Sequence, residues 1–165
     1  MRVVVAACVL AAAVLAGCAH PWNSMNMAPG TPREEVIARA GPPARVWPLP
    51  HGGQRLQYTL MPWGYYAFMV DLDVGGRLVQ VRQVMKPSEF YRIETDRWTR
   101  EDVEREFGPP ANIDGVASWN GPVYQYRWYE PGQGPMFWYI YFDPQGVVRR
   151  HHQAMEFINA PSDRR

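Results

Sequence analysis

Side chains that could catalyse a reaction or hold a metal ion are few in this sequence and do not have the spacing that such sites require. The four histidines are His20, His51, His151 and His152. Adjacent residues of a strand point to opposite faces of a sheet, so His151 and His152 are poorly placed to share one metal ion. None of the four serines lies in a G-x-S-x-G turn, and the chain has no phosphate-binding glycine loop. We therefore expect no enzyme activity, no metal site and no cofactor.

Two acidic pairs have a structural explanation. Glu34 with Glu35, and Glu101 with Asp102, lie at the beginning of two predicted helices. The positive end of the helix dipole stabilises carboxylates there. This interpretation is favoured over a catalytic pair of carboxylates.

Both cysteines, Cys8 and Cys18, lie near the N-terminus and cannot cross-link the body of the chain. Arg2 precedes an apolar run over residues 3–16, which is too short for the roughly 20 residues that cross a bilayer. The pattern predicts a secretory signal peptide over residues 1–17. The alternative interpretation is a buried or membrane-resident helix.

The end of this segment, "LAGC" at residues 15–18, resembles the bacterial lipobox. The resemblance implies cleavage before Cys18 and lipidation of Cys18, and Ala19 in the next position implies delivery to the outer membrane. Stable anchoring needs two or more acyl chains. Residues 18–29 are then a polar tether from Cys18.

Length and charge limit the number of domains and the class of partner. A chain of 165 residues with 47% hydrophobic residues suggests about one domain. Its net charge of +1 gives no field that would attract a polyanion, so nucleic acid is not an expected partner.

An internal repeat organises the rest of the chain. Residues 33–44 read "REEVIARAGPPA" and residues 100–111 read "REDVEREFGPPA". Later matches follow at offsets that increase from 67 to 70 residues. The pattern predicts a first repeat over 30–90, a second repeat over 91–158 and a polar tail over 159–165.

Each repeat begins with a helix signature and continues with strands. Thr31 and Thr99 are predicted helix caps, and Gly41 and Gly108 with the prolines behind them end the helices. Three alternating or apolar segments follow in each repeat, separated by turns such as "DVGG" and "DPQG". We therefore predict an α+β fold: a tandem repeat of a short helix followed by a three-stranded antiparallel meander, with the helices packed on one face of the sheet.

The motif "TREDVEREFGPP", a tyrosine-containing strand after it and a hairpin of the form F-D-x-x-G-x-[LV] resemble the SmpA/OmlA (BamE-like) family of outer-membrane lipoproteins. The tandem arrangement resembles the β-lactamase inhibitor protein fold. The first resemblance implies an outer-membrane lipoprotein on the periplasmic face. The best-known member of that family has a single such unit, whereas this chain has two.

Aromatic residues distinguish the second repeat from the first. Acidic residues on one face of the segment 67–74 predict that Phe68, Val70 and Leu72 face the core. By the offset of 70, Trp138, Ile140 and Phe142 are the corresponding core residues. The outward face of the second repeat then carries an aromatic and cationic set: Arg127, Tyr129, Phe137, Tyr139 and Tyr141.

Exposed aromatic residues with arginine are typical of protein interfaces, so these five residues are the candidate partner-binding residues. Two structural alternatives stay open: the first repeat packs over this face, or the tyrosines are cross-strand pairs. We expect a non-catalytic interaction module in envelope or outer-membrane protein assembly, anchored to the outer membrane and bound to a periplasmic or outer-membrane protein. The alternative is a periplasmic inhibitor or binding module that clamps a soluble enzyme with its sheet.

Overall fold

The computed structural model describes residues 21–156, with side chains from Asn23 onwards. The predicted signal peptide over 1–17, Cys18 and the predicted tail over 159–165 lie outside the described residues. Among the described residues, no helix is both long and apolar enough to span a membrane.

Four short helices and eight strands make up the described chain. The helices are α1 (Pro21–Met25), α2 (Arg33–Ala40), α3 (Pro87–Phe90) and α4 (Arg100–Phe107). The strands of the first half are β1 (Arg45–Pro48), β2 (Gln54–Thr59), β3 (Ala67–Leu72) and β4 (Leu78–Gln83). Those of the second half are β5 (Asn112–Gly115), β6 (Pro122–Glu130), β7 (Gly134–Phe142) and β8 (Val148–Met155).

The predicted α+β fold class is wrong. The protein is mostly β, with 42% strand against 17% helix, and consists of two four-stranded antiparallel sheets in the orders β1-β2-β3-β4 and β5-β6-β7-β8. The additional strands, β1 and β5, have four residues each and lie at sheet edges. "RVWP" and "NIDG" carry no alternating pattern, and proline and glycine near them indicate a loop; edge strands tolerate such residues because only one side is paired.

The helices also do not form one layer on one face. Val36 is the buried residue of α2, which packs on the first sheet with Leu56 and Val70. Helix α4 lies between the two sheets, because its Val103 and Phe107 share a core with residues of both. The layers are therefore α2, first sheet, α4 and second sheet.

The two halves have the same local structure where α2 and α4 end. Gly41 and Gly108 cap α2 and α4 with φ of 79° and 80°, a region that favours glycine. The Tyr58 hydroxyl donates to the Gly41 carbonyl at 3.1 Å, and the Tyr126 hydroxyl donates to the Gly108 carbonyl at 2.8 Å. Each Gly-Pro-Pro turn is thus tied to β2 or β6 of its own sheet.

The predicted tether contains ordered structure. Residues 21–25 form α1, and Met25 is buried in the core of the first sheet with Val36 and Phe68. Helix α1 therefore begins within the predicted tether, three residues after Cys18.

Candidate protein-interaction face

The open face of the second sheet is formed by alternate residues of β6, β7 and β8. Arg127 pairs with Phe137, and Tyr129 pairs with Pro135. Tyr139 pairs with His152. The opposite face carries Tyr126, Trp128, Trp138, Ile140 and Phe142, all at most 1% exposed. The sequence therefore assigned the two faces of this sheet correctly.

Arg127 has few contacts with solvent, although its strand position faces outward. Its Nε donates to Glu156 Oε2 at 3.0 Å and its Nη2 to Glu156 Oε1 at 2.5 Å. Its Nη1 donates to the Trp63 carbonyl at 2.8 Å, and its guanidinium lies 4.8 Å from the centre of the Tyr65 ring. Arg127 thus fixes the loop of residues 60–66, which joins β2 to β3, at the edge of the open face.

This loop adds aromatic surface that sequence reasoning missed. Trp63 is 83% exposed, and the Tyr65 ring lies 5.9 Å from the ring of Tyr129, which is 49% exposed. The sequence signal is "MPWGYY", three aromatic residues in a turn of the first repeat, whereas the equivalent turn of the second repeat reads "EPGQG". We call Tyr65, Tyr129, Phe137 and Tyr139 the aromatic face.

Phe137 and Tyr139 form the centre of the aromatic face and are both partly exposed. Their rings lie 5.8 Å apart, and the Tyr139 ring stacks on His152 at 5.3 Å. Burial raises the pKa of Tyr139, and the neighbouring Tyr141 adds to the effect. Burial lowers the pKa of His152, and the charge of Arg150 acts in the same direction. Both shifts favour the neutral forms of Tyr139 and His152, so neither ring adds a charge to the centre of the face.

The structure does not leave Tyr141 available to a partner. Tyr141 is only 7% exposed. Trp119 packs edge-on against it at 5.4 Å, His152 stacks on it, and the Arg150 guanidinium lies 4.2 Å from its ring centre. Trp119 belongs to the loop between β5 and β6, which the strand pattern did not place over this face.

The equivalent face of the first sheet is buried. Met69 and Asp71, predicted to face outward, are 0% and 5% exposed because α4 packs against them. The Gln57 side-chain amide donates to the carbonyls of Glu104 and Arg105 in α4, at 2.8 and 2.9 Å. The prediction that acidic residues of β3 mark a solvent face was therefore wrong.

Ion pairs compensate for the charged side chains buried between the first sheet and α4. Arg55 binds the Asp71 carboxylate with two hydrogen bonds of 2.6 and 2.9 Å and also contacts Glu106 of α4. Arg82 binds Glu106 at 2.9 Å. Burial alone would raise the pKa of Asp71 and of Glu106, but the arginine hydrogen bonds and charges outweigh it and hold both pKa values below their usual range.

The histidine pair lies as predicted, on opposite faces of β8. His151 stacks on the core residue Trp138, whereas His152 stacks on Tyr139 of the open face. Within residues 21–156, no group of three or more histidine, cysteine, aspartate or glutamate side chains is arranged to hold a metal ion.

Comparison of the chain with protein-family models, with curated proteins and with solved structures found no significant match.

Proposed function

We propose that the chain is a non-catalytic protein-interaction module, held at the periplasmic face of the outer membrane by a lipidated Cys18, that binds a protein partner with the aromatic face. The partner belongs to envelope or outer-membrane protein assembly. The observation that carries the proposal is the difference between the two sheets. The central strands β2 and β3 of the first sheet are covered on both faces, whereas the second sheet has one face covered and the other partly open.

The composition of the open face supports a protein partner. Aromatic side chains contribute large contact areas at a low entropic cost, and they are enriched among the residues that dominate binding energy. On the aromatic face, Tyr129 is the most exposed residue, whereas Phe137 and Tyr139 are half-buried. Arg127, by contrast, is already paired with Glu156, so we assign it to positioning the face.

Capture from cells tests the partner-binding part of the proposal. We expect Tyr129→Ser and Phe137→Ser, separately and together, to weaken capture of an envelope protein after crosslinking in intact cells. Ile113→Ser is the matched control, because Ile113 is an exposed apolar residue of the same sheet outside the aromatic face. Equal capture by all variants would contradict the assignment, and capture of one soluble periplasmic enzyme would favour an inhibitor.

Fractionation tests the anchor independently. The wild-type protein should sediment with the outer membrane, and Cys18→Ser should release it into the soluble periplasmic fraction. Recovery of the wild-type protein in the soluble fraction would refute the anchoring.

A further inference from the structure

The distance between the lipidation site and the folded body is short. Cys18 is separated from Pro21, the first residue of α1, by three peptide bonds, which reach at most about 11 Å. Met25 of α1 is buried in the core of the first sheet. A chain acylated at Cys18 therefore holds the α1 end of the body against the bilayer surface.

The loop of residues 60–66 lies at this same end. Ser24 and Met25 of α1 line a cavity of about 400 Å³ together with Tyr58, Thr59 and Leu60. Leu60 is 43% exposed and Trp63 is 83% exposed. Residues 60–66, "LMPWGYY", contain no charged side chain. An uncharged loop with exposed leucine and tryptophan thus lies beside α1.

The loop is held in shape by its own hydrogen bonds and by the second sheet. The Leu60 amide donates to the Tyr66 carbonyl at 3.0 Å, and the Gly64 amide donates to the Leu60 carbonyl at 2.7 Å. Arg127 donates to the Trp63 carbonyl from the neighbouring sheet. Because the loop backbone is already fixed, little conformational entropy is lost when the Trp63 side chain moves from water into an apolar environment.

We propose that this loop is a second membrane contact, in which Trp63 and Leu60 insert into the interfacial region of the bilayer beside the acyl chains of Cys18. The inference rests on the proposed function, because the acylated Cys18 sets the orientation. Tryptophan suits the membrane interface, since its ring is apolar and its N–H is polar. A single loop binds weakly by itself, but beside a lipid anchor its effective concentration at the bilayer is high.

The experiment uses the full, processed chain reconstituted in phosphatidylethanolamine–phosphatidylglycerol vesicles that contain brominated acyl chains. Tryptophan fluorescence is measured for Trp22→Phe, because Trp22 is only four residues from Cys18, and for Trp22→Phe with Trp63→Phe. We expect Trp22→Phe to be quenched and the additional Trp63→Phe change to remove more than half of that quenching. The control is Trp22→Phe with Trp63→Phe and Val74→Trp.

Val74 suits this control because it is 81% exposed and follows the opposite end of β3. It is roughly 20 Å from the loop, at about 3.3 Å for each strand residue. A tryptophan at position 74 should remain unquenched. Equal quenching at positions 63 and 74 would overturn the proposed orientation.

Mass spectrometry of the same sample separates the two proposals. If Cys18 is acylated and Trp63→Phe leaves the quenching unchanged, the membrane contact is refuted and the anchor stands. If Cys18 is not acylated, both proposals fall. In cells, Trp63→p-benzoylphenylalanine should crosslink to lipid, and a crosslink to a protein instead would overturn the membrane assignment.

Discussion

Arg127 joins three parts of the chain that are distant in sequence. Its guanidinium binds the Glu156 carboxylate after β8, the Trp63 carbonyl in the first repeat and the Tyr65 hydroxyl. Such a fork of donors is specific to arginine, because a lysine ammonium is a point charge on a flexible stem. The position of the loop of residues 60–66 therefore depends on the arginine side chain itself and not only on its positive charge.

We predict that Arg127→Lys lowers the free energy of unfolding by about 1–3 kcal/mol, because it removes hydrogen bonds from a mostly buried carboxylate and loosens residues 60–66. Denaturant unfolding measures the loss, and limited proteolysis should show new cleavage in the loop. Arg97→Lys, at an exposed ion pair with Glu94, is the control and should change neither quantity. An unchanged cleavage pattern in Arg127→Lys would contradict the positioning role.

The alternation of side chains along β6 and β7 predicted which residues point outward, but exposure also depends on what covers the face. Tyr141 points outward and is nevertheless covered, because Trp119 crosses from a loop and donates its indole N–H to the Phe142 carbonyl at 2.8 Å. Strand periodicity contains no information about such a loop. Trp63 was missed for the same reason, because it lies in a loop and strand periodicity does not predict where a loop residue is placed.

At the scale of elements, the two capping motifs differ although their sequences look alike. Thr99 caps α4 in a capping box with Asp102, as predicted: its hydroxyl accepts from the Asp102 amide at 3.3 Å, and the Asp102 carboxylate accepts from the Thr99 amide at 2.9 Å. Thr31 does not cap α2. Helix α2 begins after Pro32, and the Thr31 hydroxyl donates to the Ala28 carbonyl at 2.6 Å.

We predict that Thr99→Ala destabilises the protein by about 1 kcal/mol, the usual cost of losing a helix cap, whereas Thr31→Ala costs only a few tenths of this. Thermal unfolding of the two variants side by side measures the difference. Because both are threonine-to-alanine changes outside the core, each serves as the control for the other. Equal shifts in the melting temperature would show that the capping box contributes little.

The helix ends, the turns and the six longer strands could be predicted because each is encoded locally. Gly41 and Gly108 mark two of these ends, and the structure confirms their positive φ. The burial of the first sheet between α2 and α4 could not be predicted in this way. It depends on contacts between the two repeats, which are distant in sequence. In addition, an acidic residue such as Asp71 suggests a solvent-exposed position unless its partner Arg55 is recognised.

For the whole molecule, the contact between the halves is important because it contains Arg55 and Asp71, the buried charged residues of the part of the chain that the structure describes. Arg55, Asp71, Arg82 and Glu106 connect the first sheet to α4. Removing one member leaves a buried charge without its partner, which costs more than the pair itself contributes. The association of the two halves should therefore depend on pH.

Asp71 and Glu106 have pKa values lowered by folding, so the unfolded chain binds more protons as the pH falls. Their contribution to stability is fully present above the unfolded pKa values of about 4 and is lost as the pH falls through the folded values. We predict a steep loss of unfolding free energy below about pH 4, measured by urea unfolding from pH 7 to pH 3.

The variant Asp71→Asn should be less stable by about 3 kcal/mol at pH 7 and should show a flatter acid limb. Glu35→Gln, at an exposed pair with Arg39, is the control and should leave both features near those of the wild type. A parallel acid limb in Asp71→Asn would show that this network does not govern the pH dependence.

The burial of Met69 has a further consequence for how the chain can change. Met69 and Tyr139 occupy equivalent positions of the two repeats, yet one is fully buried against α4 and the other lies on the open face. The same substitution at the two positions therefore has different effects: at position 69 it changes packing against α4, and at position 139 it changes the open face. A duplicated unit of this kind cannot be shortened to one copy without uncovering a buried face, nor extended by a third without covering an open one. The number of repeats thus decides which surfaces of the molecule are exposed.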